Sequence, residues 1–228
     1  MSRLDEPDPA KAWRARIAEL KGAAERLTDR VFESLHFSGP GTDLSVGLFA
    51  SSVWHAGSLQ RIDGLESIVN IPTEEVFTTP DPERVAGVVR ARKPLELAGS
   101  LIEGIAVRFE DGRAVQIDAD TNVDVLRAVA AKDDGAARLG EVALVDGSGR
   151  IGALETVFWN TPLDENASSH IALGGSYEFV VEDEAERALA NQSEIHVDFM
   201  IGSPEVDVDG ITRDGERVPV LRGGDWQI

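Results

Sequence analysis

Two Asp-Gly dipeptides, each flanked by alternating apolar residues, constrain the fold of this chain most. Asp111-Gly112 lies within L-I-E-G-I-A-V-R-F-E-D-G-R-A-V-Q-I, and Asp214-Gly215 lies within R-D-G-E-R-V-P-V. Asp-Gly favours the tight turn of an antiparallel hairpin because glycine adopts positive φ without steric cost. Other short β-like runs, separated by Gly and Pro, fill residues 62–116. We therefore expect an α+β fold, mostly antiparallel or mixed β-sheet or a pseudo-barrel, with flanking helices.

The N-terminal segment has a helical pattern. Asp8-Pro9 is typical of a helix start, and an apolar residue then recurs on one face until Gly22, where we expect a break before a second helical stretch. We predict a helical arm over residues 1–34 and a β-rich domain over residues 35–228. Inside that domain, Asp120–Arg138 and Leu163–Leu173 also have helical character.

The charge of the chain excludes some partners. Its 41 acidic and 22 basic residues give a net charge of −19, which argues against nucleic acid and anionic membranes as ligands. There is no cysteine, so thiolate chemistry and disulfides are excluded. We expect no signal peptide and no membrane span, since no apolar run approaches about 20 residues. The expected location is the cytoplasm.

The segment from Ser193 to Gly202, S-E-I-H-V-D-F-M-I-G, is the clearest candidate for a chemical site. As a strand it places His196 and Asp198 on one face and apolar residues on the other, because side chains alternate. An imidazole and a carboxylate two residues apart suit two ligands of one cation. The alternative is a pair of solvated side chains on a half-exposed strand.

Four further segments carry carboxylate, imidazole or phenol groups. Glu74 and Glu75 are adjacent in N-I-P-T-E-E-V-F-T-T-P, and in extended backbone only one of them would enter a common site. Glu141 opens the buried strand E-V-A-L-V. In L-D-E-N-A-S-S-H-I-A-L-G a helix would align Asn166 with His170 and place Glu165 in its first turn, although these residues also fit a helix start and a packed histidine. The single tyrosine, Tyr177, follows.

Other site types find little support. The residues from Glu205 to Glu216 match the spacing of a calcium loop, but a strand precedes them and the second Asp-Gly hairpin lies inside them. We find no nucleophile elbow, no phosphate-binding loop and no dinucleotide fingerprint. His36 and His55 fit packed or solvated histidines.

Taken together, five phrases resemble the aminopeptidase T family, the thermophilic-type metalloaminopeptidases. They are L-H-F-S-G-P-G-T-D-L, N-I-P-T-E-E-V-F-T-T-P, G-E-V-A-L-V, D-E-N-A-S-S-H-I-A-L-G and H-V-D-F-M-I-G-S, and they occur in the family's order. The likeness extends from about Pro9 to Trp226. It implies that residues 35–228 are the C-terminal metal-binding catalytic domain, without the family's usual N-terminal domain.

The resemblance implies a two-metal exopeptidase that releases N-terminal residues from peptides by means of a metal-activated water. The implied ligands are Glu75, Glu141, Glu165, His170, His196 and Asp198. Glu141 would bridge two divalent ions of zinc, cobalt, manganese or magnesium. Tyr177 would be catalytic, and we expect Glu74 to be the general base, since it adjoins a ligand carboxylate.

The resemblance also implies peptide substrates with a free N-terminus and a homodimer. An alternative function is a catalytically silent metal-binding or oligomerising domain, because bound metal stabilises a fold whether or not turnover follows.

Overall fold

The computed structural model describes residues 2–68 and 70–228. Its α-helices are α1 (Pro9–Arg30), α2 (Val123–Ala130), α3 (Thr161–Asp164) and α4 (Glu184–Arg187). Its strands are β1 (Ser34–Gly39), β2 (Thr42–Leu48), β3 (Leu59–Gln60), β4 (Glu66–Ser67), β5 (Glu75–Thr78), β6 (Pro80–Arg90), β7 (Leu95–Leu97), β8 (Ser100–Ile102), β9 (Ala106–Glu110), β10 (Arg113–Asp118), β11 (Leu139–Val145), β12 (His170–Gly174), β13 (His196–Met200), β14 (Asp207–Ile211), β15 (Arg217–Arg222) and β16 (Asp225–Trp226).

Two main sheets organise these strands. The larger has the order β10-β9-β6-β2-β1-β14-β15-β16, and the smaller has the order β13-β12-β11-β5. Every pairing within them is antiparallel in the described part of the chain. The expected α+β fold with mostly antiparallel strands is confirmed, and neither main sheet closes into a barrel over residues 2–68 and 70–228.

Both predicted hairpins form. Asp111 and Gly112 have φ of 47° and 78° and join β9 to β10, as a turn with two positive-φ residues requires. Gly215, with φ of 84°, lies in the connection between β14 and β15. The residues that matched a calcium loop belong to this second hairpin. There the buried Asp209 forms an ion pair with Arg217 at 3.2 Å and another with Arg222.

Helix α1 is continuous, so the expected break at Gly22 is wrong. A mid-helix glycine costs only about 1 kcal/mol relative to alanine, and the buried stripe on both sides of it, which includes Leu20 and Ala23, offsets that cost. Leu20 and Leu27 join the same apolar core as strands from both sheets. The N-terminal helix therefore packs onto the β-rich part, and the division at residue 34 stays a prediction.

The helix expected over Leu163–Leu173 is also wrong. Residues 161–167 form α3 and a 3₁₀ turn, Ser168 is extended, and β12 begins at His170. Pairing of β12 with β11 on one side and β13 on the other outweighs the local helical pattern. Asn166 and His170 therefore share no helix face. The helix expected over Asp120–Arg138 is likewise shorter, since α2 covers only Val123–Ala130.

Candidate metal centre

One face of the smaller sheet carries most of the predicted ligands. Residues paired across antiparallel strands point to the same side, and the register pairs Asp198 with Ala172, Ala172 with Glu141, and Val145 with Glu75. By the alternation of side chains, this face carries Glu75, Glu141, His170, His196 and Asp198. The opposite face is apolar and buried, with side chains such as Val142, Ile171 and Phe199 in the core.

A bulge in β11 sets the direction of Glu141. The register between β11 and β12 shifts between Leu139 and Glu141, so one extra residue, Gly140, enters β11. Without that residue Glu141 would point into the core, because a one-residue slip reverses every side chain. A Cβ at Gly140 would lie 2.2 Å from the carbonyl oxygen of Gly175, which explains glycine at this position.

The ligand atoms form two groups that share Glu141. Glu75, Glu141 and His170 make one group, and Glu141, His196 and Asp198 make the other; within each, the donor atoms lie within 4.8 Å of one another. His170 Nε2 lies 3.1 Å from Glu75 Oε2, and His196 Nε2 lies 3.0 Å from Glu141 Oε2. The other oxygen of Glu141, Oε1, lies 4.0 Å from His170 Nε2, so this one carboxylate faces both imidazoles, which is the arrangement that a bridging ligand needs.

Backbone carbonyls fix the orientation of both imidazoles. His170 Nδ1 donates to the Ser168 carbonyl at 3.2 Å, and His196 Nδ1 donates to the Gly175 carbonyl at 2.8 Å. A carbonyl only accepts, so Nδ1 carries a proton in each ring, and Nε2 faces the carboxylates. This is the usual outer support of a metal-binding histidine, and it fits a cation between the two groups.

Glu165 and Tyr177 lie outside the smaller sheet, and Glu165 belongs to neither donor group. Burial and then the negative charge of Glu75 raise the pKa of Glu165 to about 8. The Tyr177 ring lies 5.2 Å from the His196 ring, between centroids. Burial and the charges of Glu141 and Asp198 raise the pKa of Tyr177, so its hydroxyl keeps its proton at neutral pH.

The pKa values of Glu141 and His170 are both raised at this centre. Burial, together with the charge of Glu75, raises the pKa of Glu141 despite its hydrogen bond to His196. Burial opposes protonation of His170, yet the hydrogen bond to Glu75 and the surrounding carboxylates raise its pKa to about 10. Protons therefore offset part of the negative charge that a divalent ion would otherwise balance.

Glu74 does not join this cluster. Its buried carboxylate accepts from Arg16 Nε at 2.6 Å and lies 3.5 Å from Arg3 Nη2. A second guanidinium nitrogen of Arg16 donates to Asp146 Oδ1 at 2.6 Å. The side chains of Glu74 and Glu75 thus point to opposite sides of the chain, as those of adjacent residues in extended backbone do. The general-base role of Glu74 stays a prediction, and its contacts are those of an ion-pair partner.

The sequence did not reveal two supporting roles, those of Arg16 and Asn166. Arg16 links the residue before β5 to the residue after β11. Asn166 is fully buried; its Oδ1 accepts from the Glu74 backbone N–H at 2.7 Å and its Nδ2 donates to the Pro162 carbonyl at 3.0 Å. It thereby ties the turn that carries Glu165 to the segment that carries Glu75. An arginine within an apolar helix stripe was the available signal for Arg16.

In the described residues, no helix is long and apolar enough to cross a membrane.

Known aminopeptidases match nearly the whole length of this chain. Aminopeptidase T of Thermus aquaticus is 47% identical over 232 residues, covering 100% of this chain and 57% of the relative. Aminopeptidase PepS of Streptococcus thermophilus is 43% identical, covering 99% of this chain and 56% of that relative. The chain therefore spans a little over half the length of these relatives.

Solved structures agree in fold. Wild-type AmpT from Thermus thermophilus superposes with a TM-score of 0.92 at 49% identity, over 96% of this chain and 56% of that one. A 2,5-dihydroxypyridine dioxygenase from Pseudomonas putida KT2440 reaches a TM-score of 0.60 at 14% identity, which shows the fold alone. The family model described as thermophilic metalloprotease (M29) matches residues 1–226, and the chain accordingly belongs to that family.

Proposed function

We propose that this chain is the metal-binding catalytic part of an aminopeptidase that holds two divalent ions and releases N-terminal residues from peptides. The observation that carries the proposal is that Glu141 belongs to both donor groups. The relatives' names, aminopeptidase T and aminopeptidase PepS, support the reaction class. The proposed ligands are Glu75, Glu141, Glu165, His170, His196 and Asp198.

The donor chemistry supports this assignment. Carboxylate oxygens and imidazole nitrogens without thiolates suit zinc, cobalt, manganese or magnesium. The two donor groups, with Glu141 between them, are what a bridged pair of ions needs. Glu165 lies outside both donor groups; the resemblance proposes it as the sixth ligand, and the charge of Glu75 acts, after burial, on its pKa.

The remaining groups position and polarise the peptide. A bound pair of divalent ions supplies Lewis acidity and lowers the pKa of a coordinated water. Tyr177 keeps its proton and donates a hydrogen bond to the oxyanion that develops on the scissile carbonyl. A free α-amino group held at the second ion or at a nearby carboxylate would limit cleavage to the N-terminal residue. Glu74 remains the candidate general base, provided that its carboxylate is free of Arg16 during turnover.

Two finer parts of the proposal rest on resemblance alone. They are a homodimer, which light scattering would measure, and a cytoplasmic location. The net charge of −19 supports the expectation that nucleic acid is not a partner.

The first experiment is hydrolysis of a leucyl chromogenic amide by the 228-residue chain, with added cobalt or zinc and with a chelator. Turnover that requires metal and stops with chelator supports the proposal. Glu141→Gln tests the bridge and should abolish this turnover, whereas Asp43→Asn, an exposed carboxylate on β2, should not. Tight metal binding without any turnover would contradict the catalytic proposal.

A further inference from the structure

Two buried asparagines lie behind the ligands of the metal centre. Asn166 is 0% exposed and Asn191 is 7% exposed. Neither belongs to a donor group or to a strand of the smaller sheet. A buried amide has lost its water and is stable only where protein groups replace those hydrogen bonds. The partners of each amide therefore show which segments it holds together.

Asn166 joins the segments that carry Glu75 and Glu165. Its Oδ1 accepts from the Glu74 N–H at 2.7 Å, and its Nδ2 donates to the Pro162 carbonyl at 3.0 Å. Glu74 immediately precedes Glu75, and Glu165 immediately precedes Asn166. One side chain thus fixes the backbone beside two of the proposed carboxylate ligands.

Asn191 holds the turn that orients His196. Its Nδ2 donates to the Gly174 carbonyl at 2.7 Å, and its own backbone carbonyl accepts from the Ser176 N–H at 3.0 Å. Gly175 lies between these two residues, and its carbonyl accepts from His196 Nδ1 at 2.8 Å. Asn191 therefore fixes the backbone on both sides of the carbonyl that sets the direction of the imidazole.

The chemistry of the side-chain amide suits both positions. Asn166 uses one acceptor and one donor, whereas Asn191 uses Nδ2 as a donor twice, the second time to the Gly135 carbonyl at 2.8 Å. An ionised aspartate would offer no donor at either position. Truncation to alanine would leave the buried backbone partners unsatisfied, so the segments that they belong to would shift.

The two asparagines act on different donor groups. Glu75 belongs to the group with Glu141 and His170, whereas His196 belongs to the group with Glu141 and Asp198. Hydrogen bonds behind the ligands of a metal fix the orientation of those ligands. Their loss typically weakens metal binding by about tenfold to a hundredfold. Each asparagine should therefore control one ion.

We infer that Asn166 and Asn191 are positioning residues that set the affinities of the two ions separately. Asn166 acts on the ion that Glu75 binds, through the backbone beside that ligand. Asn191 acts on the ion that His196 binds, through the carbonyl that orients its ring. The inference rests on the proposed function, because it requires two ions. A merely structural role would lower Tm without distinguishing one ion from the other.

The test measures cobalt binding by calorimetry in two variants of the 228-residue chain that each lack a ligand of one ion. Glu75→Gln removes a ligand of the first ion, and Asp198→Asn removes a ligand of the second. In the Glu75→Gln chain, Asn191→Ala should raise the Kd for cobalt by about tenfold to a hundredfold, and Asn166→Ala should leave it unchanged. In the Asp198→Asn chain the two effects should be exchanged.

Thr42 provides the matched control. It is 5% exposed, and its Oγ1 accepts from the Arg90 N–H at 3.1 Å within the larger sheet, outside both donor groups. Thr42→Val removes this buried hydrogen bond, so it should lower Tm while the Kd for cobalt stays unchanged in both chains. Weaker cobalt binding in both chains for either asparagine variant, or in neither chain, would overturn the inference.

Hydrogen exchange tests the same coupling without any change to the asparagines. Coupling is reciprocal, so an ion that depends on a hydrogen bond must protect that bond by the same factor. In the Asp198→Asn chain, zinc should slow exchange of the Glu74 amide by about tenfold to a hundredfold and leave the Ser176 amide unchanged. In the Glu75→Gln chain the order should be reversed. Protection of both amides in either chain would contradict separate control of the ions.

Failure of the proposed function gives a different result. If the chain does not hydrolyse the leucyl amide but the cobalt affinities show the exchanged pattern, the positioning roles stand without catalysis. If metal-dependent turnover occurs and the asparagine variants do not distinguish the ions, the aminopeptidase proposal stands and the inference is wrong. A chain that binds no metal overturns both.

Discussion

Replacing Arg16 by methionine should destabilise this protein more than any surface charge change. Arg16 lies in the buried stripe of α1 and is 8% exposed in its side chain. It holds Glu74, which is 0% exposed, and Asp146, which is 7% exposed, each at 2.6 Å. Arg16→Met keeps most of the apolar stem but leaves Asp146 buried without a guanidinium and Glu74 with Arg3 alone, at 3.5 Å.

The magnitude follows from this burial. Removing one partner of a buried ion pair costs about 3–5 kcal/mol, mostly because the other charge stays desolvated. In a chain of this size about 1 kcal/mol lowers Tm by about 2–4 °C, so the expected loss is about 6–20 °C. The strength of the contact agrees with the raised pKa of Arg16, where the charges of Glu74 and Asp146 outweigh the desolvation of the guanidinium.

Thermal unfolding followed by circular dichroism measures this loss, and the chain provides a matched control. Arg150 also binds two carboxylates, Asp5 at 2.8 Å and Glu6, but on the surface. Arg150→Met should leave Tm nearly unchanged because solvent screens exposed pairs. Equal Tm values for Arg16→Met and Arg150→Met would refute the reasoning. The triple variant that adds Glu74→Gln and Asp146→Asn should recover part of the lost Tm.

The other predictions concern the metal centre. Tyr177→Phe should lower kcat by about 10²–10³ without changing metal content, measured by steady-state kinetics and elemental analysis; loss of metal would contradict an oxyanion role. Glu141→Gln should weaken the binding of both ions, measured by calorimetry. Weaker binding of one ion alone would contradict Glu141 as a bridging ligand. The raised pKa values of His170 (about 10) and His196 (about 11) mean that a cation must displace their protons. The stability that protonation gives the metal-free fold is present below the unfolded pKa of about 6.5 and is lost as pH rises towards 10. The Tm increase on adding manganese should therefore be larger at about pH 8 than at about pH 6, and the reverse order would contradict this sign. Glu74→Gln separates two roles, because a general base predicts a kcat loss on the order of 10²–10⁴, whereas a partner of Arg16 predicts a lower Tm with kcat retained.

The features that were predictable from the sequence are those that depend on neighbours in the chain. The Asp-Gly turns specify their hairpins locally, and alternation alone separates His196 and Asp198 from the apolar face of β13. The buried strand around Glu141 was equally clear. The turn residues and the two-residue alternation of the strands can both be recognised without knowledge of the rest of the fold.

What escaped prediction depends on distant partners. Residues 163–173 have a helical pattern, but β11 and β13 recruit His170 into a strand, and only the assembled sheet determines that outcome. Arg16 and Glu74 are 58 residues apart, so no spacing rule connects them. The same holds for His55, whose ring packs edge-on against Phe77 and Phe179 from other parts of the chain.

The bulge at Gly140 makes β11 sensitive to its length. Substitutions along this strand change single side chains, but inserting or deleting one residue between Gly140 and Val145 would turn Glu141 towards the core or Val142 and Leu144 towards the face that carries the donor groups. In this part of the chain a change in length is therefore more damaging than a change in composition. Homologous sequences should be aligned, and variants designed, with the number of residues in this segment held constant.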